Sequence, residues 1–215
     1  MDVSRPYAAI TGGGLEGEVI TVLAGTTKPL TGRQIARMVR HGSDRGVRLA
    51  LNRLAEQGLV YVVEAPPALL YQLNREHIAA PIAEALAGLR TELIRRLRDA
   101  IAGWRIKPVH ASLFGSAARG DGGLDSDIDL FLVRPGGTTT EDDLWDGQLA
   151  ELAEQVRAWT GNHAGISAID EQDLLSGEAS PTLLDEIRRD ALPLAGQPVR
   201  AIVGRNSDAW HPPGE

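Results

Sequence analysis

The stretch at residues 113–133, LFGSAARGDGGLDSDIDLFLV, constrains the fold of this chain more than any other. It begins with an apolar run that ends at Phe114, passes through a Gly-Ser pair, and closes with Asp127 and Asp129 inside a second apolar run. This order predicts a strand, a tight turn into a short helix, and a second strand. Residues two apart on a strand share a face, so both carboxylates are expected to lie side by side.

Two neighbouring carboxylates repel each other, which costs stability unless a cation neutralises them. Magnesium is the expected cation because it is a hard ion that prefers carboxylate and phosphate oxygens. Gly115 lets a phosphate approach the backbone, and the amides at the start of the next helix can hold that phosphate. The stretch therefore predicts a site for a metal-bound nucleotide.

The composition excludes several classes of protein. The chain of 215 residues has no cysteine, which excludes disulfides and thiolate chemistry and favours a cytoplasmic location. No uninterrupted apolar run is long enough for a membrane span, and the first residues lack the pattern of a secretory signal, so neither is expected. The length allows one or two domains.

The net charge of −7 conceals an asymmetry. Residues 1–108 contain 15 Lys and Arg against 10 Asp and Glu, whereas residues 109–215 contain 7 against 19. Between residues 28 and 53 there are 7 basic residues and 1 acidic residue. A basic first half and an acidic second half favour two domains with different partners.

Three helices followed by a hairpin are predicted in the first half. The first helix ends at Gly25, and Thr31 and Ser43 are expected to be the N-caps of the second and third. Two β-type runs, at residues 59–63 and 69–73, are separated by a Pro-Pro turn and predict the hairpin.

The segment LTGRQIARMVRHGSDRGVRLALNRLAEQGLV has this order of helices and resembles the winged helix-turn-helix of bacterial transcription regulators. The resemblance implies binding to double-stranded DNA, often as a homodimer. On the third helix Arg45, Arg48 and Asn52 lie away from the apolar stripe, with Arg53 beside them, where they can contact phosphates and base edges. The alternative is a solvated helix face on a module used for protein contacts or dimerisation.

A long helix is predicted at residues 81–103, with Pro81 in its first turn. Its apolar residues are spaced by three or four positions, which predicts one buried stripe. That stripe consists of Ile82, Leu86, Leu89, Leu93, Leu97 and Ile101. We interpret this helix as the joint between two domains and count it with the second.

The stretch that opened this section closely resembles the minimal nucleotidyltransferases of the DNA polymerase β superfamily. Their pattern is an apolar residue, Gly-Ser, a spacer, then Asp-apolar-Asp-apolar, and here FGS and DIDL are separated by 10 residues. The resemblance implies a small mixed sheet with helices packed on it. It also implies that Gly115 and Ser116 hold the triphosphate of a nucleoside triphosphate. Asp127 and Asp129 would be the catalytic ligands of Mg²⁺ (or Mn²⁺).

Arg119 and Ser126 lie inside the same motif and are further candidates for nucleotide binding. Arg119 either approaches phosphate oxygens or pairs with a nearby aspartate and fixes the turn, and both interpretations stay open. Ser126 is expected to cap or orient neighbouring groups rather than to act as a nucleophile, because no histidine is close to it in sequence.

Active members of the superfamily usually carry a third acidic residue on a neighbouring strand. Here the strand that follows a predicted helix at residues 141–159 has Ser167 at that position, and serine cannot replace a carboxylate at neutral pH. Asp170 lies three positions later, on the opposite face of a regular strand, and needs a bulge to become a metal ligand. Without a bulge, Asp170 is expected to cap the next helix, at residues 171–175.

We therefore predict an α+β protein: a winged helix-turn-helix followed by a polymerase-β-like nucleotidyltransferase domain. Two functions stay open. One is Mg-dependent transfer of a nucleotide to an unidentified acceptor by a DNA-binding protein, and the other is a catalytically weak regulator that senses nucleotide or metal. A third, an antitoxin-like partner of another protein, rests only on related small transferases. The expected segments are a lead-in at 1–14, the winged domain at 15–76, the transferase domain at 77–197 and a tail at 198–215.

Overall fold

The computed structural model shows a mixed α+β fold whose contacts divide the chain into two compact units. The first unit comprises Asp2 and Ser4–Glu92, and the second comprises Met1, Val3 and the chain from Leu93 onward. The division falls inside one long helix, whereas the sequence favours counting that whole helix with the second domain. The residues that the structure describes are 1–40, 42–123, 125–136 and 142–203.

The first unit combines short helices with a three-stranded antiparallel sheet. Its elements, in chain order, are α1 (Ala8–Thr11), α2 (Leu15–Ala24), β1 (Leu30–Thr31), α3 (Gly32–Met38), α4 (Asp44–Glu56), β2 (Val60–Ala65) and β3 (Ala68–Leu73). The sheet order is β1-β3-β2, so β2 is an edge strand. β2 and β3 pair in one continuous register, and the predicted hairpin is confirmed.

Both predicted N-caps of this unit are confirmed. The Thr31 hydroxyl accepts a hydrogen bond from the Gln34 N–H at 3.2 Å, and the Gln34 side chain accepts one from the Thr31 N–H at 2.8 Å. Together they form a capping box. The Ser43 hydroxyl accepts from the Gly46 N–H at 3.2 Å and begins α4 in the same way. Local side-chain chemistry thus sets where α3 and α4 begin.

The core of the first unit lies between α2, α3, α4 and the sheet. The buried stripe of α4 comprises Val47, Ala50, Leu51 and Leu54, which repeat at helical spacing. They pack in one cluster with buried residues of α2 and α3, such as Ile35. The opposite, polar face of α4 is therefore left exposed.

The N-terminal residues are more ordered than a loose lead-in. The buried Asp2 carboxylate accepts hydrogen bonds from the backbone N–H groups of Ser4 and Arg5, each at 3.0 Å. Tyr7 is also buried, and α1 follows it. Because the aspartate satisfies backbone donors and closes a turn, and α1 follows, this part of the predicted lead-in at residues 1–14 has regular structure.

The connecting helix is α5 (Ala80–Ala102), close to the predicted bounds. Leu93 and Leu97 of the predicted stripe are buried, but Ile82 is 64% exposed, so its place in the buried stripe is a wrong prediction. Ala80 and Ala83, three residues apart, point into the core of the first unit instead. Since they take up the inward face of this turn, Ile82 is directed outward.

The second unit is built on a four-stranded mixed sheet. Its further elements are β4 (His110–Leu113), α6 (Gly115–Arg119), β5 (Ile128–Arg134), α7 (Asp142–Thr160), β6 (Ala164–Asp170), α8 (Glu171–Ser176), α9 (Pro181–Asp190), β7 (Leu192–Gly196) and α10 (Val199–Val203). The order is β6-β5-β4-β7, with only β5 and β6 parallel. Helix α7 forms the crossover between them, and Glu141 of the predicted helix lies outside the described residues.

Strand β5 is buried on both faces. Leu130 and Leu132 belong to one apolar cluster, and Phe131 and Val133 to another on the opposite face. Asp129 is two residues before Phe131 and therefore shares its face. The two cores thus hold β5 rigidly and fix the face on which Asp129 lies.

The chain after residue 197 begins with the short helix α10. Val199 and Ile202 of α10 are buried with Phe131, because the helix packs its apolar side on the sheet. Residues 204–215 of the expected tail lie outside the described residues. Within the described ranges, the helices lack the combination of length and apolar character that crossing a bilayer requires.

Candidate nucleotide and metal site

The Gly-Ser pair lies between β4 and α6, at the turn where the strand becomes a helix. Gly115 has a φ of 65°, in the left-handed region that glycine adopts without strain. The Phe114 N–H donates to the Asp129 carbonyl at 2.9 Å, which fixes the turn beside the start of β5. The predicted order of strand, turn, helix and strand is confirmed.

Asp129 lies between two glycines. A Cβ added at Gly115 would collide with the Asp129 carboxylate. A Cβ at Gly165, on β6, would lie 2.9 Å from Asp129 Oδ1 and 3.8 Å from the Cβ of Asp127. The carboxylate thus occupies space that any larger residue at either position would fill. Gly165 escaped the sequence analysis; its one signal is that glycine inside a strand often marks a close approach.

The surroundings of Asp129 disfavour its charged form. Burial raises the pKa of the Asp129 carboxyl, and the charges of Asp127 and of Glu186, on α9, raise it further, while Arg119 lowers it. Asp127 is exposed. Among the described residues, neither aspartate forms an ion pair with a cationic side chain. The negative charge here is therefore largely uncompensated, and no sequence signal indicated that Glu186 is near.

Ser116 and Ser126 approach each other across the loop after α6. A Cβ at Gly122 would lie 2.9 Å from Ser116 Oγ and 3.3 Å from the Cβ of Ser126, so a larger residue there would displace the Ser116 hydroxyl. Ser126 Oγ accepts a hydrogen bond from the Gly123 N–H at 2.8 Å. Ser126 thus orders the loop, as expected for an orienting group. A contact of either serine with a nucleotide stays a prediction.

Arg119 shows the second of its two predicted arrangements. Its guanidinium donates to Asp121 at 3.0 Å and to Asp190, at the end of α9, at 2.8 Å. Hydrogen bonds from Arg189 and Arg119 lower the pKa of Asp190. Arg119 therefore joins the end of α6 to α9. Its contact with phosphate stays a prediction.

The residue in register with Asp129 on the neighbouring strand is Gly165. Ser167 pairs with Phe131, one pair further along the same face. The third carboxylate was predicted at the position of Ser167, but the direct neighbour of Asp129 on β6 is Gly165. Because β6 pairs with β5 only after the α7 crossover, sequence spacing alone does not determine the register between these two strands. Neither Gly165 nor Ser167 offers a carboxylate.

The structure does not bring Asp170 to the aspartate pair. The register between β5 and β6 is continuous, without the bulge that this role needs, and places Asp170 opposite Arg134. Arg134 is five positions after Asp129, an odd number, so Asp170 belongs to the other face and the far end of the strand pair. Its carboxylate lies 3.8 Å from the Arg134 guanidinium. Asp170 also occupies the N-cap position of α8 without a side-chain capping bond.

The predicted DNA-binding residues all lie on α4. Arg45, Arg48, Asn52 and Arg53 are exposed, on the side opposite its buried stripe. Arg53 donates to Glu16 at 2.7 Å, so its charge is partly neutralised within the unit. The first three are thus the more available for an anionic partner.

The donor set fits a divalent cation that shares its coordination with a ligand. Asp127 and Asp129 offer carboxylate oxygens, the ligands that Mg²⁺ prefers, and Mg²⁺ commonly uses one or two carboxylates plus phosphate oxygens. Among the described residues, no group of three or more acidic, histidine or cysteine side chains is arranged to hold a metal by itself. The residues present therefore fit a metal brought together with a phosphate, rather than a closed protein cage.

Comparisons with known proteins were made on the sequence and on the structure. A search of curated proteins found no match. Three solved structures are similar, with TM-scores of 0.33 to 0.35. One is a toxin–antitoxin with AMP-PNP, 21% identical, covering 55% of this chain and 84% of that chain. Another is a mutant of the toxin–antitoxin MntA–HpeT, 19% identical, with the same coverage. A third, described as a minimal nucleotidyltransferase, is 27% identical and covers 47% of this chain and 93% of that chain.

One family model matches this chain in the region of the site. The model of the nucleotidyltransferase domain matches residues 94–165, which include Gly115, Asp127, Asp129 and Gly165. Residues 94–165 of this chain are therefore a nucleotidyltransferase domain.

Proposed function

We propose that the second unit transfers a nucleotide from a nucleoside triphosphate to an acceptor hydroxyl, with Mg²⁺ or Mn²⁺. The observation that carries the proposal is the place of Asp127 and Asp129 beside Gly165, with the Gly115 turn against Asp129. Carboxylates with uncompensated charge cost stability, and a structure retains such a cost most readily where a cation is to be held.

Each residue of the site has a role in this proposal. Gly115 and Ser116 bind the triphosphate at the turn, and Asp127 and Asp129 hold the cation. When bound, the divalent cation neutralises the triphosphate and the charge that develops on the leaving pyrophosphate. Arg119 and Ser126 are proposed as further contacts to the phosphates, and Arg119 would then exchange its bonds to Asp121 and Asp190 for phosphate oxygens.

Among the described residues of β6, no carboxylate lies beside Asp129 to receive the proton of the acceptor hydroxyl. Gly165 and Ser167 occupy the positions next to Asp129 and Phe131 on β6, and Asp170 is paired with Arg134 at the far end. Catalysis here then relies on positioning and charge neutralisation, with the proton of the acceptor hydroxyl passing to water. Slow turnover is expected for such a site.

The experiment that tests this proposal compares two aspartates of the same sheet. The protein is incubated with Mg²⁺ and labelled nucleoside triphosphates, and pyrophosphate release and label transfer are measured. Asp127→Ala is expected to abolish both, while Asp170→Ala leaves them unchanged. Equal losses in the two variants, or turnover that survives Asp127→Ala, would contradict the proposed site.

A second function is favoured by the exposed face of α4. We infer that the first unit is a winged helix-turn-helix that binds double-stranded DNA, so that the whole chain is a regulator whose DNA affinity responds to nucleotide or metal. Three helices with a hairpin, and the exposed Arg45, Arg48 and Asn52, support this inference. Both functions belong in the cytoplasm, the location that the absence of cysteine favours.

DNA binding is tested by titrating salt for two arginine variants of one helix. Arg48→Ala is expected to weaken binding by roughly tenfold and to reduce the salt slope by about one. Arg53→Ala serves as the matched control, because Glu16 already neutralises part of its charge, and its effect should be smaller. Failure of the wild type to bind duplex DNA at low salt would remove this function.

A further inference from the structure

The edge strand β2 exposes apolar side chains on both of its faces. Tyr61, Val62 and Val63 are 48%, 44% and 48% exposed, and Leu69 on the adjoining strand is 45% exposed. Successive residues of a strand point to opposite faces, so both faces of this edge are apolar. An exposed apolar edge of this kind is typical of a surface that pairs with another strand.

The backbone of β2 is free to pair on its outer side. Within the described residues β2 pairs only with β3, in a register without bulges from Val60 to Ala65. Natural edge strands are usually protected by lysine, proline or a bulge. β2 has none of these between Val60 and Ala65, and Glu64 is its one charged residue.

We propose that β2 pairs antiparallel with β2 of a second copy of this chain, with Val62 on the two-fold axis. The occupant must supply an extended strand, because the unpaired groups are backbone donors and acceptors. In an antiparallel pair, two residues that lie directly opposite each other must both direct their N–H and C=O groups toward the partner strand or both direct them away from it. For two identical strands this condition requires the axis to pass through a residue rather than between two.

The axis at Val62 gives the best cross-strand pairs. It sets Val62 opposite Val62 and Tyr61 opposite Val63 of the second copy, and the aromatic with β-branched pair occurs twice by symmetry. An axis at Val63 would set Val62 opposite Glu64 of the second copy, and an axis at Glu64 would oppose two carboxylates. The strand is therefore most complementary to itself in the Val62 register.

The geometry also limits the size of the assembly and its strength. Pairing through a two-fold axis is closed, and the other edge of the sheet, β1, is only two residues long, so growth stops at a dimer. Three or four half-exposed side chains per copy bury less than the roughly 1,200 Å² of a stable interface. The dimer should accordingly be weak and depend on protein concentration.

Sedimentation equilibrium of the full chain over a wide range of concentration tests the pairing. Wild type is expected to convert from monomer to dimer, and Val62→Lys to raise the dissociation constant by at least about tenfold, because two lysines would face each other at the axis. Met38→Lys is the matched control, since Met38 is 56% exposed in the same unit but lies at the end of helix α3 rather than on the edge strand. A wild type that stays monomeric, or a dimer insensitive to Val62→Lys, overturns the proposal.

Single cysteines identify the register, because the chain has no cysteine of its own. Opposite residues of antiparallel strands have Cα atoms about 4.5–5.5 Å apart, within the reach of a disulfide. Val62→Cys is expected to form a disulfide-linked dimer under mild oxidation, whereas Glu64→Cys, which faces Val60 of the second copy, is not. Cross-linking through Glu64→Cys with none through Val62→Cys overturns the Val62 register.

Discussion

The two ends of the β5–β6 strand pair carry the same kind of residue in opposite circumstances. At the far end, Asp170 lies 3.8 Å from Arg134 and its charge is met by a neighbour. At the near end, Asp129 has another carboxylate beside it, is partly buried, and forms no ion pair with a cationic side chain among the described residues. Asp170 thus belongs to a structural ion pair, whereas Asp129 is held at a cost in stability that suggests a bound cation.

The glycines explain how the near end tolerates its carboxylates. Gly115 and Gly165 flank the Asp129 carboxylate, and a Cβ atom added at either glycine would occupy the space that this carboxylate needs. At the far end no glycine is paired with Arg134, whose register partner is Asp170 itself. The difference teaches that close packing against backbone, as well as charge, distinguishes the candidate site from an ordinary ion pair.

The largest effect is expected from Asp129→Asn, which keeps the shape of the side chain and removes its charge. Nucleotide transfer should fall by at least about a hundredfold, because a charged ligand at the reacting centre is lost. Asp170→Asn should leave the rate of transfer unchanged. Label transfer with Mg²⁺ and triphosphate measures both.

The same two variants should also differ in stability, but here Asp129→Asn is expected to be the more stable of the two. Without divalent cation, Asp129→Asn removes the repulsion with Asp127 and should raise the unfolding midpoint by a few degrees. Mn²⁺ should then stabilise the wild type but not this variant. An unfolding midpoint in the variant below that of the cation-free wild type would count against a charge-strained site.

A smaller effect is expected from Gly165→Ala. The added Cβ would lie 2.9 Å from Asp129 Oδ1 and should push the carboxylate aside, with a loss of roughly tenfold or more in transfer and weaker Mn²⁺ binding. Gly147→Ala, on α7, is the matched control because nothing lies within 4 Å of its Cβ. That variant should be active and slightly more stable, since alanine favours helix. Equal activity in the two variants would show that Gly165 does not position Asp129.

His110, between the two ends on the adjacent strand, should give the chain a pH dependence. The ring is buried, its Nδ1 donates to the Gln197 carbonyl at 2.6 Å, and its Nε2 lies 2.9 Å from Ser112 Oγ. Burial lowers the pKa of His110, although the bond to Gln197 opposes this. A histidine with a lowered folded pKa binds fewer protons when folded, so stability is lost as pH falls below about 6.5.

Urea unfolding between neutral pH and about pH 5 measures this dependence. His110→Gln should cost about 1 kcal/mol at neutral pH, because it disturbs one or two buried hydrogen bonds, and should flatten the slope. The wild-type slope remaining in the variant would assign it to other groups.

The smallest effect belongs to the far end of the strand pair. Asp170→Asn removes a half-exposed ion pair with Arg134, which should cost about 0.5 kcal/mol or less, and less still at high salt. Thermal unfolding at two salt concentrations measures it. A loss comparable to that of a buried pair would mean that the far end is more strongly coupled than its exposure implies.

Sequence patterns were sufficient to predict those features of the fold that depend on residues close together in the chain. Thr31 and Ser43 cap their helices through atoms three residues away, so their spacing was enough to place α3 and α4. The spacing of the Gly-Ser pair and the two aspartates likewise predicted a strand, turn and strand. The prediction of the buried stripe of α5 was only partly correct, because Ala80 and Ala83, rather than Ile82, pack inward at its first turn.

By itself the sequence determined that Asp127 and Asp129 share a face and follow a glycine turn, because alternation along a strand is a property of the backbone. Only the tertiary structure decided what surrounds them. A strand reached through a 19-residue helix can pair in several registers, and the observed register places Gly165 beside Asp129 and sends Asp170 to Arg134. Packing of α9 likewise brought Glu186 near, since contacts between distant segments depend on how cores fit together.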